Sequence, residues 1–291
     1  MPKNKIVTTG SRFSEALKAI RAGETENLSS IIAEDPALLE ALDEEGKYKL
    51  IHYLALPYKG EFPAKERECL KILLSKGNKL GETTKIAKED SGTLLQLAAA
   101  NGRQELLDAC LEAGLNADSK ALKAALDAGE TALARKMSAA GVEPDFLSAA
   151  GLGDIDALAS YFDGSNNLRL SDDQVIDFGT LAMTRTLVEP LIVACKNGQM
   201  EAAFFLIKKG ADLNYFEVEE GKDAKETLEA SALHWASRYG HYELVKFLIN
   251  YGARIQSRDT LEDKTPAQWA EEAGHENICL YLKHLSGSGG T

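Results

Sequence analysis

The sequence has few cysteines, prolines and tryptophans, and it lacks long hydrophobic runs. Its 291 residues include four cysteines, seven prolines and two tryptophans. The cysteines stand alone at positions 69, 110, 195 and 279 without any CxxC pair, which argues against a structural zinc site and against a secreted disulfide framework. No window of about 18 uninterrupted apolar residues occurs, so we expect no membrane span and no membrane partner.

The sequence also has fewer positively charged than negatively charged residues. Lysine and arginine number 33 against 45 aspartates and glutamates, which gives a net charge of −12. Residues 1–150 carry 20 basic and 23 acidic side chains, whereas residues 151–291 carry 13 and 22, so the acidity lies mainly in the second half. A nucleic-acid-binding protein needs a basic footprint, so we expect no nucleic-acid partner. A basic protein surface is the favoured electrostatic partner.

The first residues, "MPKNKIVTTGSRF", contain no apolar segment typical of a signal peptide. Together with the isolated cysteines, this predicts a cytoplasmic protein, and we expect it to be a monomer. The last residues, "SGSGGT", have the composition of a flexible tail.

One segment recurs along the chain. "ALHWASRYGHYELVKFLINYGA" from Ala232 aligns with "PAQWAEEAGHENICLYLKHLSG" from Pro266 at an offset of 34 residues, so that Trp235 falls on Trp269. "PLIVACKNGQMEAAFFLIKKGADLN" from Pro190 repeats the same frame at an offset of 42. Weaker copies continue back to about residue 15, which makes about eight units.

Each unit combines a short Ala-rich helix, a Gly-centred turn, a longer helix with apolar residues at i, i+3 and i+4, and a terminal glycine. Glycine supplies the positive φ of a helix C-cap without a Cβ penalty, and small alanines let two helices approach closely. One helix pair cannot bury its apolar face alone, so the units are expected to stack.

These residues resemble the ankyrin repeat family, whose pattern appears in "ALHWAS", "YGHYELVKFLINYGA", "KGADLN" and "KTPAQWAEEAGHENI". The match is closest over 190–283, weaker over 15–77, and weakest over 90–162, where closely spaced glycines leave little room for β-hairpin fingers. The resemblance implies an all-α solenoid of about eight helix–turn–helix units with short or missing β-hairpin fingers. It also implies a non-enzymatic adaptor or inhibitor that binds a protein through a concave groove and finger loops.

The sequence divides into five predicted segments. They are an N-terminal segment at 1–14, degenerate ankyrin-like repeats at 15–162, an irregular insertion at 163–189, regular ankyrin repeats at 190–285, and a flexible tail at 286–291. A second insertion of sixteen acidic-rich residues separates Asn214 from Ser231. Long excursions from a compact array are commonly functional or disordered. An enzyme or effector with a site in 160–190, or a purely structural spacer, therefore remains as an alternative.

The repeat frame accounts for most of the histidines and cysteines. The resemblance assigns His52 and His234 to the Thr-Pro-Leu-His position, and His241 and His275 to the inter-helix turn, all in structural roles. A spacing of seven residues between His234 and His241 is not that of an i, i+4 ligand pair. The cysteines fall on apolar helix positions, where they behave as small hydrophobes. We therefore expect no metal, no cofactor and no catalytic residue.

The candidate binding residues are those whose side chains the repeat fold does not require. The resemblance places them on the concave groove, at Tyr53, Tyr58, Val193, Lys196, Asn197, Trp235, Arg238, Tyr239 and Trp269. We expect the two tryptophans to be exposed anchors about 10 Å apart, the spacing of packed helices. The competing interpretation is that Trp269 caps the last repeat.

Overall fold

The computed structural model describes residues 4–46, 48–75, 93–171, 174–215 and 230–288. The chain forms two compact units, Met1–Val142 and Glu143–Thr291. Both are built from short helices that follow one another in pairs. Within the described ranges, the only strands form a short hairpin in the second unit.

The first unit packs its helices in two layers. The helices are α1 (Asn4–Ala22), α2 (Thr25–Glu34), α3 (Glu66–Ser75), α4 (Leu94–Ala100), α5 (Gln104–Glu112), α6 (Ser119–Asp127) and α7 (Thr131–Ala139), with 3₁₀ turns at Pro36–Leu39 and Leu50–Leu54. In one layer, α1 contacts the second 3₁₀ turn, which contacts α4, and α4 contacts α6. In the other layer, α2 contacts α3 and α3 contacts α5. Buried leucine, isoleucine and alanine side chains fill the space between the layers.

The second unit repeats this arrangement more regularly. Its elements are α8 (Phe146–Leu152), α9 (Ile155–Ser160), β1 (Leu168–Ser171), β2 (Gln174–Ile176), α10 (Leu181–Thr186), α11 (Val188–Lys196), α12 (Met200–Lys208), α13 (Ala232–Arg238), α14 (Tyr242–Asn250), α15 (Pro266–Glu272) and α16 (Glu276–Ser288). The first helices α8, α11, α13 and α15 contact one another in a row, and α12 and α14 contact α9 and α16 respectively. One core cluster lies between the two layers.

Polar residues at the N-caps fix where the first helices begin. Before α13, the side chains of Ser231 and His234 form a capping box, and Thr265 and Gln268 do the same for α15. Each box satisfies backbone N–H groups that the helix itself leaves without partners. Because each box fixes the entry point of a first helix, it also fixes which residues of that helix face the core.

The turn between paired helices depends on glycine. Gly198 and Gly240 have φ values of 68° and 78°, and the imidazole of the next repeat lies directly against each of them. A Cβ on Gly240 would lie 2.5 Å from His275, which is too close for any real contact. His241 Nε2 also lies 2.8 Å from the carbonyl oxygen of Lys196, one repeat earlier. The structural role implied for His241 is therefore confirmed.

The weaker repeats use the same contact with other side chains. Glu130 lies against Gly102 in the first unit, and Gln199 lies against Gly153 in the second. In each case the residue just before a second helix reaches back to the glycine of the preceding turn. The contact with the turn glycine is kept, but glutamate or glutamine makes it in place of histidine. This explains why the family pattern is weak over 90–162 although the helix pairs are present.

Three of the predicted segments contain more regular secondary structure than their descriptions imply. Helix α1 begins at Asn4, so most of the predicted N-terminal segment 1–14 is helical. Helix α16 continues to Ser288, so residues 286–288 extend a helix rather than a tail, and 289–291 lie outside the described residues. The predicted irregular insertion 163–189 contains the β1–β2 hairpin and α10, so the fold is mostly helical rather than all-α. The loop 216–229 also lies outside the described residues.

No helix in the described ranges is long and apolar enough to cross a membrane.

We expect the regular repeats at 190–283 to be more stable than residues 90–162. In a stacked array, local stability is a sum of repeat and interface contributions, so the repeats with shortened loops open first. In hydrogen exchange followed by mass spectrometry, amides of 90–162 should exchange about ten-fold faster or more. Stronger protection over 90–162 than over 190–283 would show that the departures from the repeat pattern do not weaken the stack.

Candidate functional site

Five side chains from α11, α13 with its C-cap, and α15 meet in what we call the Trp235 cluster: Lys196, Trp235, Arg238, Tyr239 and Trp269. The indole of Trp235 is half-buried, and Lys196 Nζ lies 4.0 Å from its ring centroid. Tyr239 stacks on the same indole with a centroid distance of 6.3 Å. Trp269 meets it edge-on at 5.0 Å, and the Arg238 guanidinium lies 5.6 Å from the Trp269 centroid. Cations over aromatic faces are attracted by the ring quadrupole.

Trp269 is not the exposed anchor that its sequence position predicted. Only 8% of its surface is exposed, and its Nε1–H donates a 2.9 Å hydrogen bond to Asp259 Oδ2. Its ring also packs edge-on against the buried His234 at 5.2 Å. The predicted spacing of about 10 Å from Trp235 is wrong for the ring centroids, because the two indoles turn toward each other. Trp269 belongs to the packed interior of the second unit.

Asp259 organises the loop in front of α15. Its Oδ1 accepts hydrogen bonds from the backbone N–H groups of Leu261 (2.9 Å) and Glu262 (2.7 Å). Its Oδ2 accepts from the backbone N–H of Lys264 at 3.0 Å, in addition to the indole of Trp269. Burial alone would raise the pKa of this carboxyl, but the four donors outweigh burial and hold the pKa below its ordinary value.

The first unit uses the same arrangement at Tyr53. The hydroxyl of Tyr53 donates a 2.9 Å hydrogen bond to Asp43 Oδ2, ten residues earlier in the chain, as Asp259 is ten residues before Trp269. Asp43 closes its loop through a backbone bond to Tyr48, as Asp259 does to Lys264, both at 2.9 Å. Burial and the neighbouring carboxylate raise the pKa of Tyr53. An aspartate and an aromatic donor ten residues apart thus form a loop clasp in both units.

Among the described residues, none forms such a clasp with Trp235. The residue ten positions before it is Lys225 rather than an aspartate, and residues 216–229, which precede α13, lie outside the described part of the chain. No described residue accepts a hydrogen bond from Trp235 Nε1, in contrast to the indole of Trp269. The edge of this half-buried indole is therefore available to a group outside the described part of the chain.

A family model for ankyrin repeats, in three copies, matches residues 191–288. These residues are ankyrin repeats. The match covers the helices from α11 to α16, which contain the whole Trp235 cluster, and it extends slightly beyond the predicted repeat region of 190–285. The resemblance to ankyrin repeats seen in the sequence is confirmed for residues 191–288.

Two predicted binding residues of the first ankyrin repeat face inward. Val193 and Asn197 are both buried, and the Asn197 side-chain amide donates a 2.9 Å bond to the carbonyl oxygen of Val193. The prediction that they face the groove is wrong, because this amide closes the last turn of α11 and leaves Lys196 as the accessible residue there. Tyr58 in the first unit is 46% exposed, with the Arg21 guanidinium 3.8 Å from its ring centroid.

His234 is a structural residue of the ankyrin repeat. Its Nδ1 accepts from the backbone N–H of Ser231 at 3.3 Å, which leaves Nε2–H to donate to the carbonyl oxygen of Lys264 at 3.1 Å. It thus ties the start of α13 to the loop in front of α15. Among the residues that the structure describes, no three histidine, cysteine, aspartate or glutamate side chains are grouped so that they could hold a metal ion.

The four cysteines are all buried. Burial raises the pKa of Cys110 to about 12 and also raises the pKa values of Cys69 and Cys195. A thiol becomes reactive as its thiolate, so these environments disfavour nucleophilic chemistry. Their interpretation as small core residues agrees with their burial.

Lowering the pH should destabilise the ankyrin repeats through His234. Burial lowers the pKa of His234, although the Lys264 carbonyl and Asp259 partly offset this. Its stabilising contribution is complete above the unfolded pKa of about 6.5 and is lost as the pH falls through the lower folded pKa, because the unfolded chain takes up the proton first. The loss should approach about 1.4 kcal/mol per pH unit within that window.

Urea unfolding between about pH 7.5 and about pH 5 measures this dependence. A His234→Gln variant should show a flatter profile than the wild-type protein. An equal slope in the His234→Gln and wild-type proteins would exclude His234 as the titrating group.

Proposed function

We propose that the protein is a non-catalytic adaptor or inhibitor that binds a protein partner through the groove-facing ends of its ankyrin first helices. Ankyrin repeats are generally protein–protein interaction modules, and the family is typically non-enzymatic. The specific site proposed for binding is the Trp235 cluster. Finger loops are proposed to contribute to the same surface.

The observation that supports this site is the contrast between Trp235 and its two equivalents. Tyr53 and Trp269 each donate a hydrogen bond to an aspartate of the preceding loop, whereas no described residue accepts one from Trp235 Nε1. A half-buried tryptophan beside arginine, lysine and tyrosine has the composition of the energetic centre of a protein interface. The repeat that begins with α13 therefore has an indole N–H, that of Trp235, which is not hydrogen-bonded within the described residues.

The wider architecture is part of the same proposal. We propose that the chain comprises about eight repeats, and that Tyr58 contributes to a binding surface in the first unit. The net charge of −12 supports long-range attraction of a basic partner. The acidic residues Glu217, Glu219 and Glu220 lie outside the described residues. We also propose that the protein acts as a monomer in the cytoplasm.

Replacing Trp235 with alanine should weaken binding of the partner much more than it weakens the fold. Truncation of an interface anchor costs about 2 kcal/mol or more, which is about thirty-fold or more in dissociation constant. The half-buried indole should contribute at most about 2 kcal/mol to folding. Calorimetric titration with a partner recovered by affinity capture measures the first quantity, and urea unfolding measures the second.

Phe204 provides the matched control. It is a 38% exposed aromatic residue on α12, a second helix, and it packs edge-on against Phe247 at 6.2 Å. Phe204→Ala removes a comparable aromatic surface away from the Trp235 cluster, so partner affinity should change less than about two-fold. A Trp235→Ala protein that stays folded and binds with wild-type affinity would exclude the proposed site.

A further inference from the structure

The β1–β2 hairpin has one strand edge with which no described residue pairs. In β1, Leu168 pairs with Phe162 on one side and with Ile176 of β2 on the other. Within the described ranges β2 pairs only with β1, so its second side, which we call the free edge, is an edge of this small sheet. Such an edge presents backbone N–H and C=O groups that can accept a further strand.

The backbone hydrogen bonds determine which residue of β2 faces the free edge. The residues that flank Leu168 bond away from β2, as when the N–H of Arg169 donates to the carbonyl oxygen of Tyr161 at 2.7 Å. Because backbone groups alternate in direction along a strand, Leu168 turns its own N–H and C=O toward Ile176. The backbone groups of Ile176 therefore point to β1, and those of Val175 point away from it, to the free edge.

Three exposed apolar side chains lie on β2 and directly after it. Val175 is 40% exposed, Phe178 is 52% exposed and Leu181 is 64% exposed. Sheet edges that remain in solvent are usually protected by lysine, proline or a bulge. Residues 168–187 contain no lysine and no proline, and the bulge of this hairpin lies on β1 rather than on β2. The free edge thus combines backbone groups that face outward with an apolar surface, as interaction sites do.

The charge of this segment indicates the charge of a fitting partner. Residues 170–184 contain three aspartates and no lysine, arginine or histidine. Asp177, directly after β2, is exposed, and no described residue forms an ion pair with it. The two flanking arginines have other contacts, since Arg169 pairs with Asp163 and Arg185 lies over a tyrosine ring. A basic side chain therefore complements this edge.

We propose that the free edge of β2 binds an extended segment of a partner protein as an added strand, with apolar residues against Val175 and Phe178 and a lysine or arginine beside Asp177. In such pairing the backbone bonds supply affinity and alternate side chains supply specificity. The net charge of −12 attracts the same basic segment over longer distances. This contact goes beyond the proposed function, because it does not involve the Trp235 cluster.

A library of random octapeptides, displayed and selected on the wild-type protein, provides the test. Selected peptides should alternate apolar residues with lysine or arginine. Val175→Pro removes the outward N–H but keeps an extended backbone, so affinity should fall about ten-fold or more. Val175→Thr keeps both the N–H and the β-branched shape, so affinity should fall less than about three-fold. Asp177→Lys should weaken binding about ten-fold, most strongly at low salt.

Ile176→Pro is the matched control for folding. The N–H of Ile176 points to β1, so proline at this position removes a bond of the hairpin, whereas Val175→Pro removes none. In urea unfolding, Val175→Pro should keep the wild-type midpoint within about 0.5 M, and Ile176→Pro should lower the midpoint further. A loss of peptide binding by a folded Val175→Pro protein is then a loss at the free edge itself.

Backbone N-methylation of a selected peptide tests strand pairing on the wild-type protein, without any change to its fold. In an added strand, every second N–H of the peptide bonds to the edge. Methylation at those positions should weaken binding about ten-fold, and methylation at the intervening positions about two-fold or less. Equal effects along the peptide would mean that side chains alone are recognised, and the proposal would be wrong.

The other outcomes are equally decisive. A library that gives only acidic peptides, or none sensitive to Val175→Pro, would overturn the proposal. A dimer in sedimentation velocity that Val175→Pro dissociates would assign the edge to a second copy of this chain. Tighter peptide binding after residues 216–229 are replaced by a glycine–serine linker of equal length would assign it to this chain's own loop. Trp235→Ala should leave peptide affinities within about two-fold, so either site can fail without the other.

Discussion

Replacing Trp269 with alanine should destabilise the protein by about 3–5 kcal/mol. The side chain is buried, packs against His234 and Trp235, and donates its indole N–H to Asp259. Truncation would leave a cavity and would also remove one of the donors that hold the buried carboxylate. Urea unfolding at neutral pH measures the loss.

Two companion variants separate the contributions of Trp269. Trp269→Phe keeps most of the packing but lacks the N–H, so it should cost about 1–2 kcal/mol. Trp235→Ala, at the equivalent position one repeat earlier, should destabilise the protein less than Trp269→Ala because Trp235 is only half-buried. If Trp235→Ala proved the more destabilising of the two alanine variants, the assignment of Trp269 to the core and Trp235 to the binding surface would be reversed.

Replacing Asp259 with asparagine should cost about 3 kcal/mol or more. The carboxylate accepts from three backbone N–H groups and the Trp269 indole, with both oxygens in use. An asparagine would turn its NH₂ group toward two of these donors and leave them buried without an acceptor. The change in the free energy of unfolding is again the quantity to measure.

The matched control is Asp263→Asn in the same loop. Asp263 is exposed and pairs with Arg258, and its φ of 56° is a conformation that asparagine adopts readily. Asp263→Asn removes the same charge as Asp259→Asn, yet the free energy of unfolding should change by no more than about 0.5 kcal/mol. Equal losses at both positions would mean that the general charge of the loop, rather than the clasp at Asp259, is what stabilises it.

The same carboxylate should contribute a second acid-dependent loss. The folded pKa of Asp259 lies below its ordinary value, so its contribution is present above the unfolded pKa of about 3.9 and is lost as the pH falls through the folded pKa. This window lies below that of His234, and the two losses should be resolved in a pH titration of stability.

The repeat frame was predictable from the sequence because its requirements are local. The glycines at the inter-helix turns need a positive φ, and the histidines of the Leu-His and Gly-His positions need fixed hydrogen-bond partners. The positions of Trp235 and Trp269 within their helices followed from the same frame. The helical continuation at both ends and the β1–β2 hairpin did not, because no repeat pattern extends over them.

The difference in burial and hydrogen bonding between Trp235 and Trp269 could not be predicted from their equivalent positions in the repeat. The deciding contact comes from Asp259, which lies in a loop rather than in the aligned helices. A signal was nevertheless present, since Asp43 and Asp259 precede Tyr53 and Trp269 by the same ten residues, and Trp235 lacks this spacing. Side-chain direction and loop closure, rather than helix position, determine which aromatic residue remains available.

Hydrogen exchange of the complex tests most directly whether a partner binds the C-terminal ends of the ankyrin first helices. With a partner recovered by affinity capture, binding should slow exchange at the ends of α11, α13 and α15 and in the turns that follow them. The middle of the second helices α12 and α14 should exchange as in the free protein. Protection confined to α12 and α14, with no change around Trp235, would contradict the account.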